Sequence, residues 1–340
     1  MDLWIQVVEN PNGVPRGEKA IDDERADEPR AARNEDDHAA RGCTALVPGP
    51  ATRTRFFALQ SSRGSINRPA LRLSLVIPAR DEAENIGPTL DALRERLGRE
   101  GIDYELVVVD DGSSDATPDR VAERMAVDAR VRLVRNTTEH GFGHAVRRGL
   151  DAFTGDAVVV VMADGSDSPD DVVRYFYVLR DRAECAFGSR FLPGSQVVGY
   201  PPVKLLLNRI TNWCIRILFG LRYNDVTNAF KGYRANVIEG CRPFLSPHFN
   251  LTVEVPLKAI VRGYSYETLP IGWRQRHHGV SSLKLKEMGS RYAFIVLHVW
   301  LEKMLTRGDY RRTDGGKPFR ALANEADEPG EAPPAVARMT

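Results

Sequence analysis

Several acidic residues stand where apolar runs stop abruptly. In AVVVVMADGSDSPDD (157–171) the run from Ala157 to Met162 breaks into small residues and Asp164, with Asp167, Asp170 and Asp171 behind it. In VVVDDGSSDAT (107–117) Asp110 and Asp111 close a run and open a Gly-Ser turn; in VIPARDEAEN (76–85) Glu82 lies just past Pro78. RNTTEHGFGHAVRRG (135–149) is a glycine-containing loop that leads into a helical pattern. At the carboxyl edge of a parallel sheet, carboxylates suit the donors of a base and the hydroxyls of a ribose. A glycine turn at a helix N-terminus suits phosphate. A single carboxylate such as Asp164 can also anchor a magnesium ion, which takes about six oxygens and commonly only one or two from protein carboxylates. Each signal also has a plain structural reading. Asp-Asp-Gly-Ser is a common turn, Asp164 can serve as a cap, and GFGHAVRRG lacks the GxGxxG spacing of a dinucleotide fold.

The elements that would hold these residues follow from periodicity. LSLVI (73–77), ELVVV (105–109), VRLV (131–134), AVVVVM (157–162) and CAFGS (185–189) are predicted strands. Between them, Ile86, Leu90, Leu93 and Leu97 recur at helical spacing, Val121 and Met125 mark a second helix, and 144–153 and 172–179 a third and fourth. Strands alternating with helices predict an α/β fold, a mostly parallel sheet with helices on both faces. After Pro202 the rhythm changes to long helical stretches at 203–221, at 251–263 (interrupted by Pro256) and at 283–305, with a strand at 264–273. The first and last of these helices mix apolar faces with Lys and Arg, as interfacial helices do.

Of 340 residues, 42% are hydrophobic and 27% charged, an ordinary globular balance. The net charge of +1 hides an asymmetry: Tyr200 to Arg312 holds 18 Lys and Arg against 7 Asp and Glu. That half favours an anionic partner, but its basic residues are not interleaved with aromatics in any nucleic-acid recognition motif, so nucleic acid is not expected. The four cysteines, 43, 185, 214 and 241, form no CxxC pair and suggest neither zinc nor disulfides. MDLWIQVVEN lacks the pattern of a signal peptide, and no run of about 18 uncharged apolar residues predicts a membrane span. The expected location is therefore cytoplasmic. The mixed-charge composition of 1–70 and 307–340 predicts disordered tails flanking one domain, 71–306.

As a set, VIPARDEAENI, VVVDDGSSDAT, HGFGHAVRRGL, MADGSDSP, FGSRF, DVTNAFKGYR and RQRHHGVSSLKL resemble the family-two glycosyltransferases, in particular the dolichyl-phosphate mannose synthase branch and its bacterial polyprenyl-phosphate relatives. The resemblance implies a GT-A (Rossmann-like) fold and an inverting, metal-dependent transfer of a hexose, with mannose favoured. The donor would be a nucleotide sugar, GDP-mannose or a UDP-hexose. The acceptor would be a polyprenyl phosphate at the cytoplasmic face of the membrane. It places Pro78, Glu82, Asp110 and Asp111 in nucleotide binding, Glu82 near the ribose, Asp110 facing the base and Asp111 supporting the turn. Asp164 matches the second aspartate of the DxD motif, which meets Mg2+ or Mn2+, and Ser166 falls where some relatives place another ligand. Arg190 would approach the phosphates or the acceptor, and Arg276 and Ser281 would bind phosphate near the reaction centre.

Three positions depart from the pattern: Met162 replaces the first aspartate of DxD, Asp81 the usual asparagine, and Ser282 a common lysine. A phosphate acceptor is already anionic and needs no strong base, whereas a hydroxyl acceptor on a glycolipid or polysaccharide would need one. Glu254 or Asp225 would then supply it. A catalytically silent nucleotide-sugar binding module is the alternative from another class.

Overall fold

A computed structural model describes residues 70–312, except 199, 201 and 275–284. The first half alternates strand and helix: β1 (Leu73–Ala79), α1 (Ile86–Glu100), β2 (Tyr104–Asp110), α2 (Thr117–Val127), β3 (Val131–Arg135), α3 (Phe142–Ala152), β4 (Ala157–Val160), α4 (Pro169–Asp181) and β5 (Cys185–Ser189). The second half holds β6 (Gln196–Val198), α5 (Pro202–Phe219), β7 (Lys231–Arg234), α6 (Ala235–Gly240), α7 (Leu251–Val261), β8 (Tyr266–Pro270), β9 (Gly272–Arg274) and α8 (Leu285–Leu305). Seven strands form one sheet in the order β3-β2-β1-β4-β7-β5-β8, and β6 pairs with β9 in a two-stranded sheet. Only β7 runs antiparallel to its neighbours, so the carboxyl ends of β1, β2, β3, β4, β5 and β8 share one edge.

The period of two in each strand divides the core. Leu73, Leu75 and Ile77 of β1 face the layer of α1, α2 and α4, where Ile86, Leu90, Leu93, Val121 and Tyr175 are buried. Val76 of β1, with Val107, Val109, Val158 and Val160, faces the other layer, built from Val146 and Leu150 of α3, Ile215 of α5, Val237 of α6, Leu257 of α7 and Val299 of α8. Residues buried on both faces explain why these strands read as unbroken apolar runs. Gly149 lets α3 lie close to the sheet, since a Cβ there would collide with the Val76 side chain.

Two expectations need correction. Residues 264–273 form two strands that part at Ile271, and the four-residue β7, KGYR, inserts between β4 and β5 without an apolar run to announce it. Pro256 does not break the helix at 251–263: α7 runs through it. The carbonyl of Thr252, which a residue other than proline at 256 would bond, accepts instead from the buried Lys231 ammonium at 3.1 Å. Arg312, the last described residue, donates to both oxygens of the buried Glu184, at 2.8 and 2.7 Å. The predicted tails otherwise lie outside the described residues. Among the described residues, no helix is long and apolar enough to cross a membrane.

Candidate active site

The loops leaving β1 and β2 are clasped into one rim. Asp81, at φ 54°, takes the left-handed conformation that Asn and Asp tolerate best among residues with a Cβ. Its carboxylate accepts from the Ser114 N–H at 2.7 Å and hydroxyl at 3.0 Å, and these bonds hold it below the usual carboxylate range. The Glu82 N–H donates to Thr117 Oγ1 at 2.8 Å and that of Ala83 to Asp115 at 3.0 Å. Aspartate thus stands where the resemblance expects asparagine, in a position where its acceptor oxygen is used. Glu82 itself is half-buried and accepts from Asn85 at 2.7 Å. Pro78 is buried within β1, in register with Val109.

Asp110 and Asp111 divide their tasks. Asp110 ends β2 and accepts from the Ser113 N–H at 3.0 Å, shaping the Gly-Ser turn. Asp111 turns the other way and accepts from Asn136 Nδ2 at 2.6 Å and from the Gly141 N–H at 2.7 Å. It thus ties the β2 exit to the entry of α3, where a negative charge is favoured. The glycines of this loop serve packing: a Cβ on Gly143 would meet the backbone of Pro247 and His248. Gly143 thus permits close approach of α3 to a neighbouring loop.

Beyond β4, Asp164 is half-buried and closes an Asx turn by accepting from the Ser166 N–H at 3.0 Å. Thr89 of α1 fixes this turn through the Ala163 carbonyl at 2.9 Å. Asp167 lies behind it, 7% exposed, and accepts from the Met162 N–H at 2.9 Å. Burial, with the charge of Asp164, pushes the Asp167 carboxyl up to about 7. The chain thus sets a buried carboxylate against the backbone of the residue that replaces the first aspartate. Asp164, Ser166 and Asp167 offer only oxygen donors, the hard set that suits Mg2+ or Mn2+. Among the described residues no group of three His, Cys, Asp or Glu forms a ready cage. The donor set fits an ion that brings most of its ligands with it.

Arg190, just past β5, is held by a buried ion pair. Asp225 accepts from its Nε at 2.8 Å, its Nη2 at 2.7 Å and its backbone N–H at 2.9 Å. The Asp225 side chain is 0% exposed and that of Arg190 9%. Asp225 is therefore an anchor for Arg190 and not an open base. Glu254, also 0% exposed, accepts from the Leu245 and Ser246 N–H groups at 2.7 and 2.6 Å and from Lys258 at 2.6 Å. Burial alone would raise the Glu254 carboxyl; Lys258 and the two N–H groups outweigh it and hold it low. The two residues named as bases for a hydroxyl acceptor are thus both engaged in buried ion pairs. Arg276 and Ser281 lie outside the described residues. Sequence reasoning missed Tyr200, whose hydroxyl lies 3.5 Å from Arg190 Nη1, and Lys231; single polar residues in unremarkable contexts give no signal until the chain brings them together.

Residues 74–241 match the family Glycosyl transferase family 2. The chain is 32% identical over 222 residues to the polyprenol monophosphomannose synthase of Mycolicibacterium smegmatis, covering 64% of this chain and 82% of that protein. The chain belongs to glycosyl transferase family 2. It is also 29% identical over 219 residues to the undecaprenyl-phosphate mannosyltransferase of Micrococcus luteus, covering 63% of this chain and 88% of the relative. Among solved structures it resembles glucosyl-3-phosphoglycerate synthase of Mycobacterium tuberculosis, crystallised with Mn2+, UDP and glucosyl-3-phosphoglycerate. The TM-score there is 0.52 at 21% identity, covering 68% of this chain and 80% of that one. This family-two glycosyltransferase thus has the GT-A fold, and the rim described above lies at the switch point where strand order reverses around β1.

Proposed function

We propose that this enzyme moves a hexose, with mannose favoured, from a nucleotide diphosphate sugar to a polyprenyl phosphate at the membrane surface, inverting the anomeric carbon. The observation that carries the choice of acceptor is the closed state of Asp225 and Glu254, each fully buried in an ion pair. A lipid phosphate needs no base, so a site in which both nominated bases are engaged elsewhere suits it. The names of the relatives from M. smegmatis and M. luteus point the same way. Glu82 and Asp110 would meet ribose and base, and Asp164 with Ser166 would hold a Mg2+ or Mn2+ ion. That ion, when bound, supplies charge stabilisation for the leaving diphosphate. Arg190, fixed by Asp225, presents a preorganised cation to phosphate oxygens.

The membrane part of the reading rests on α5 and α8. Leu206, Ile210, Trp213 and Ile217 form one exposed stripe along α5, and Phe294, Leu297, Leu301 and Leu305 another along α8. Exposed Lys204, Arg209 and Arg216 accompany the first stripe. Apolar residues with basic neighbours are the composition of a face that lies on anionic lipid.

The test uses the full chain with polyprenyl phosphate in detergent and Mg2+ or Mn2+, offering labelled GDP-mannose and UDP-glucose separately. A labelled lipid from GDP-mannose, abolished by chelation and by Asp164→Asn, is expected. Transfer only to an added glycan would replace the acceptor assignment. Nucleotide binding without turnover would favour the silent module that Met162 motivates.

A further inference from the structure

The amino-terminal edge of the sheet, opposite the rim that carries Asp164, holds a second concentration of charge. Arg312 pairs there with Glu184, the residue before β5, and its backbone N–H donates to the Arg262 carbonyl at 3.2 Å. Between the end of α7, the end of α8 and the turn that leads to this anchor lies a cavity of about 260 Å3. Arg262, Glu302, Lys303, Arg307, Tyr310 and Arg311 are among its walls. One water needs far less room; the volume admits a phosphate group with part of the molecule that bears it.

Four cations line the cavity against one carboxylate, and that carboxylate is already neutralised. Glu302, 9% exposed, accepts from Arg262 Nε at 2.8 Å and from its Nη2 at 3.0 Å. Arg262 Nη1 donates to the Gly240 and Arg242 carbonyls at 2.7 and 3.3 Å, and the Tyr310 ring stands 5.5 Å from the guanidinium carbon. This pair is therefore neutral and satisfied. Lys303, Arg307 and Arg311 add three uncompensated positive charges. Helix ends account for one of them, because cations are favoured beside terminal carbonyls. Lys303 has that role: its Nζ donates to the carbonyl of Phe219, the last residue of α5, at 2.8 Å. Arg307 and Arg311 have no such role. Both are exposed, and neither guanidinium has a hydrogen bond or ion pair among the described residues. Arg307 also stands at φ 50°, in the left-handed region where glycine would be relaxed. Guanidiniums gathered on one cavity repel each other, and an anion between them reverses the sign of that interaction.

We propose that this cavity is an anion site for a phosphate group, separate from the transfer site, with Arg307 and Arg311 as its principal donors. The planar fork of a guanidinium matches a pair of phosphate oxygens. Two sources share this chemistry, a soluble phosphate ester and the headgroup of an anionic phospholipid. The site lies at the edge of the sheet opposite Asp164, so the inference goes beyond the glycosyltransfer reading and does not depend on it.

The test compares the full-length wild type with the double variant Arg307→Gln, Arg311→Gln. A control, Arg99→Gln with Arg120→Gln, removes the same charge from exposed positions on α1 and α2. Binding of glycerol 3-phosphate is measured by calorimetry, and sedimentation with phosphatidylcholine vesicles is measured with and without phosphatidylglycerol. Removal of charge-assisted bonds should weaken binding of one probe at least about tenfold in the cavity variant, with the control unchanged. The melting temperature without ligand should be the same in the cavity variant and wild type, since neither side chain has a partner to lose. A loss for glycerol 3-phosphate assigns the cavity to soluble esters; a loss confined to phosphatidylglycerol vesicles assigns it to a lipid headgroup. Binding of both probes by the cavity variant as by wild type overturns the proposal, and so does an equal loss in the control, which would reduce the effect to general electrostatic attraction. A wild type that binds neither probe overturns it as well.

Discussion

Replacing Asp225 by asparagine would leave the guanidinium of Arg190, almost wholly buried, without its counter-charge. The pair makes two side-chain bonds and one to the Arg190 backbone. Breaking one partner of such a buried pair costs about 3–5 kcal/mol, because the remaining charge stays desolvated. Asp225→Asn should therefore lower stability by that order in urea unfolding. It should also lower kcat/KM for transfer strongly, with no change in the shape of the pH profile between pH 6 and 8. A profile that lost its acidic limb would instead restore Asp225 as a base. Residue type was readable here and partnership was not. The sequence marked Asp225 and Arg190 as charged residues in matching motifs and Glu254 as a candidate base. It carried no sign that Asp225 lies against Arg190, 35 positions away, or that Glu254 is closed by Lys258 and two backbone N–H groups. Asp164 was more legible, because an apolar strand that stops at a carboxylate declares its place at a sheet edge.

Among the elements, β7 gave no signal and α7 was expected to be interrupted at Pro256, and one buried lysine bears on both. Lys231 is 1% exposed and donates to the carbonyls of Val226 at 3.0 Å and Thr252 at 3.1 Å, and also to that of Asn228. It stitches the loop that delivers Asp225 to the helix turn that Pro256 leaves short of a donor. A strand that opens on a buried cation has no apolar pattern, so KGYR was invisible to periodicity, whereas β1 to β5 announced themselves as apolar runs. Burial pushes the Lys231 ammonium down to about 7, from an ordinary value of 10.5. Above that pH the unfolded chain holds a proton on this lysine that the folded chain has released. This group's contribution to stability therefore rises with pH from about 7 toward 10.5, by at most about 1.4 kcal/mol per pH unit. The difference in unfolding free energy between wild type and Lys231→Met, measured in urea at pH 6.5, 7.5 and 8.5, should move in favour of wild type as pH increases. A difference that shrinks with pH would mean that three carbonyls hold the proton better than water does.

For the molecule as a whole, the charge asymmetry and the placement of apolar side chains make one argument. The chain is nearly neutral, yet its second half carries 18 basic against 7 acidic residues between Tyr200 and Arg312. The same half turns Trp213 outward at 61% exposure and Phe294 at 62%, while Ile215 and Ile295 beside them are buried. Each of the two helices thus has an inner stripe that closes the core and an outer stripe with no protein partner among the described residues. The helices were legible in the sequence, but which apolar residues face out was not, since both stripes share one composition. If the outer face lies on lipid, the full chain should sediment with vesicles containing anionic lipid and less so as salt rises. Trp213→Glu should weaken that partition at least about tenfold, given roughly 1.5–3 kcal/mol for a buried large apolar side chain. Transfer to a water-soluble short-chain phosphate should be unaffected by the same change, because Trp213 makes no contact with Arg190 or Asp164. Equal sedimentation of wild type and Trp213→Glu would assign the basic half to electrostatic attraction alone. Loss of transfer to the soluble acceptor would place α5 within the reaction site itself, close to the Tyr200 hydroxyl that meets Arg190.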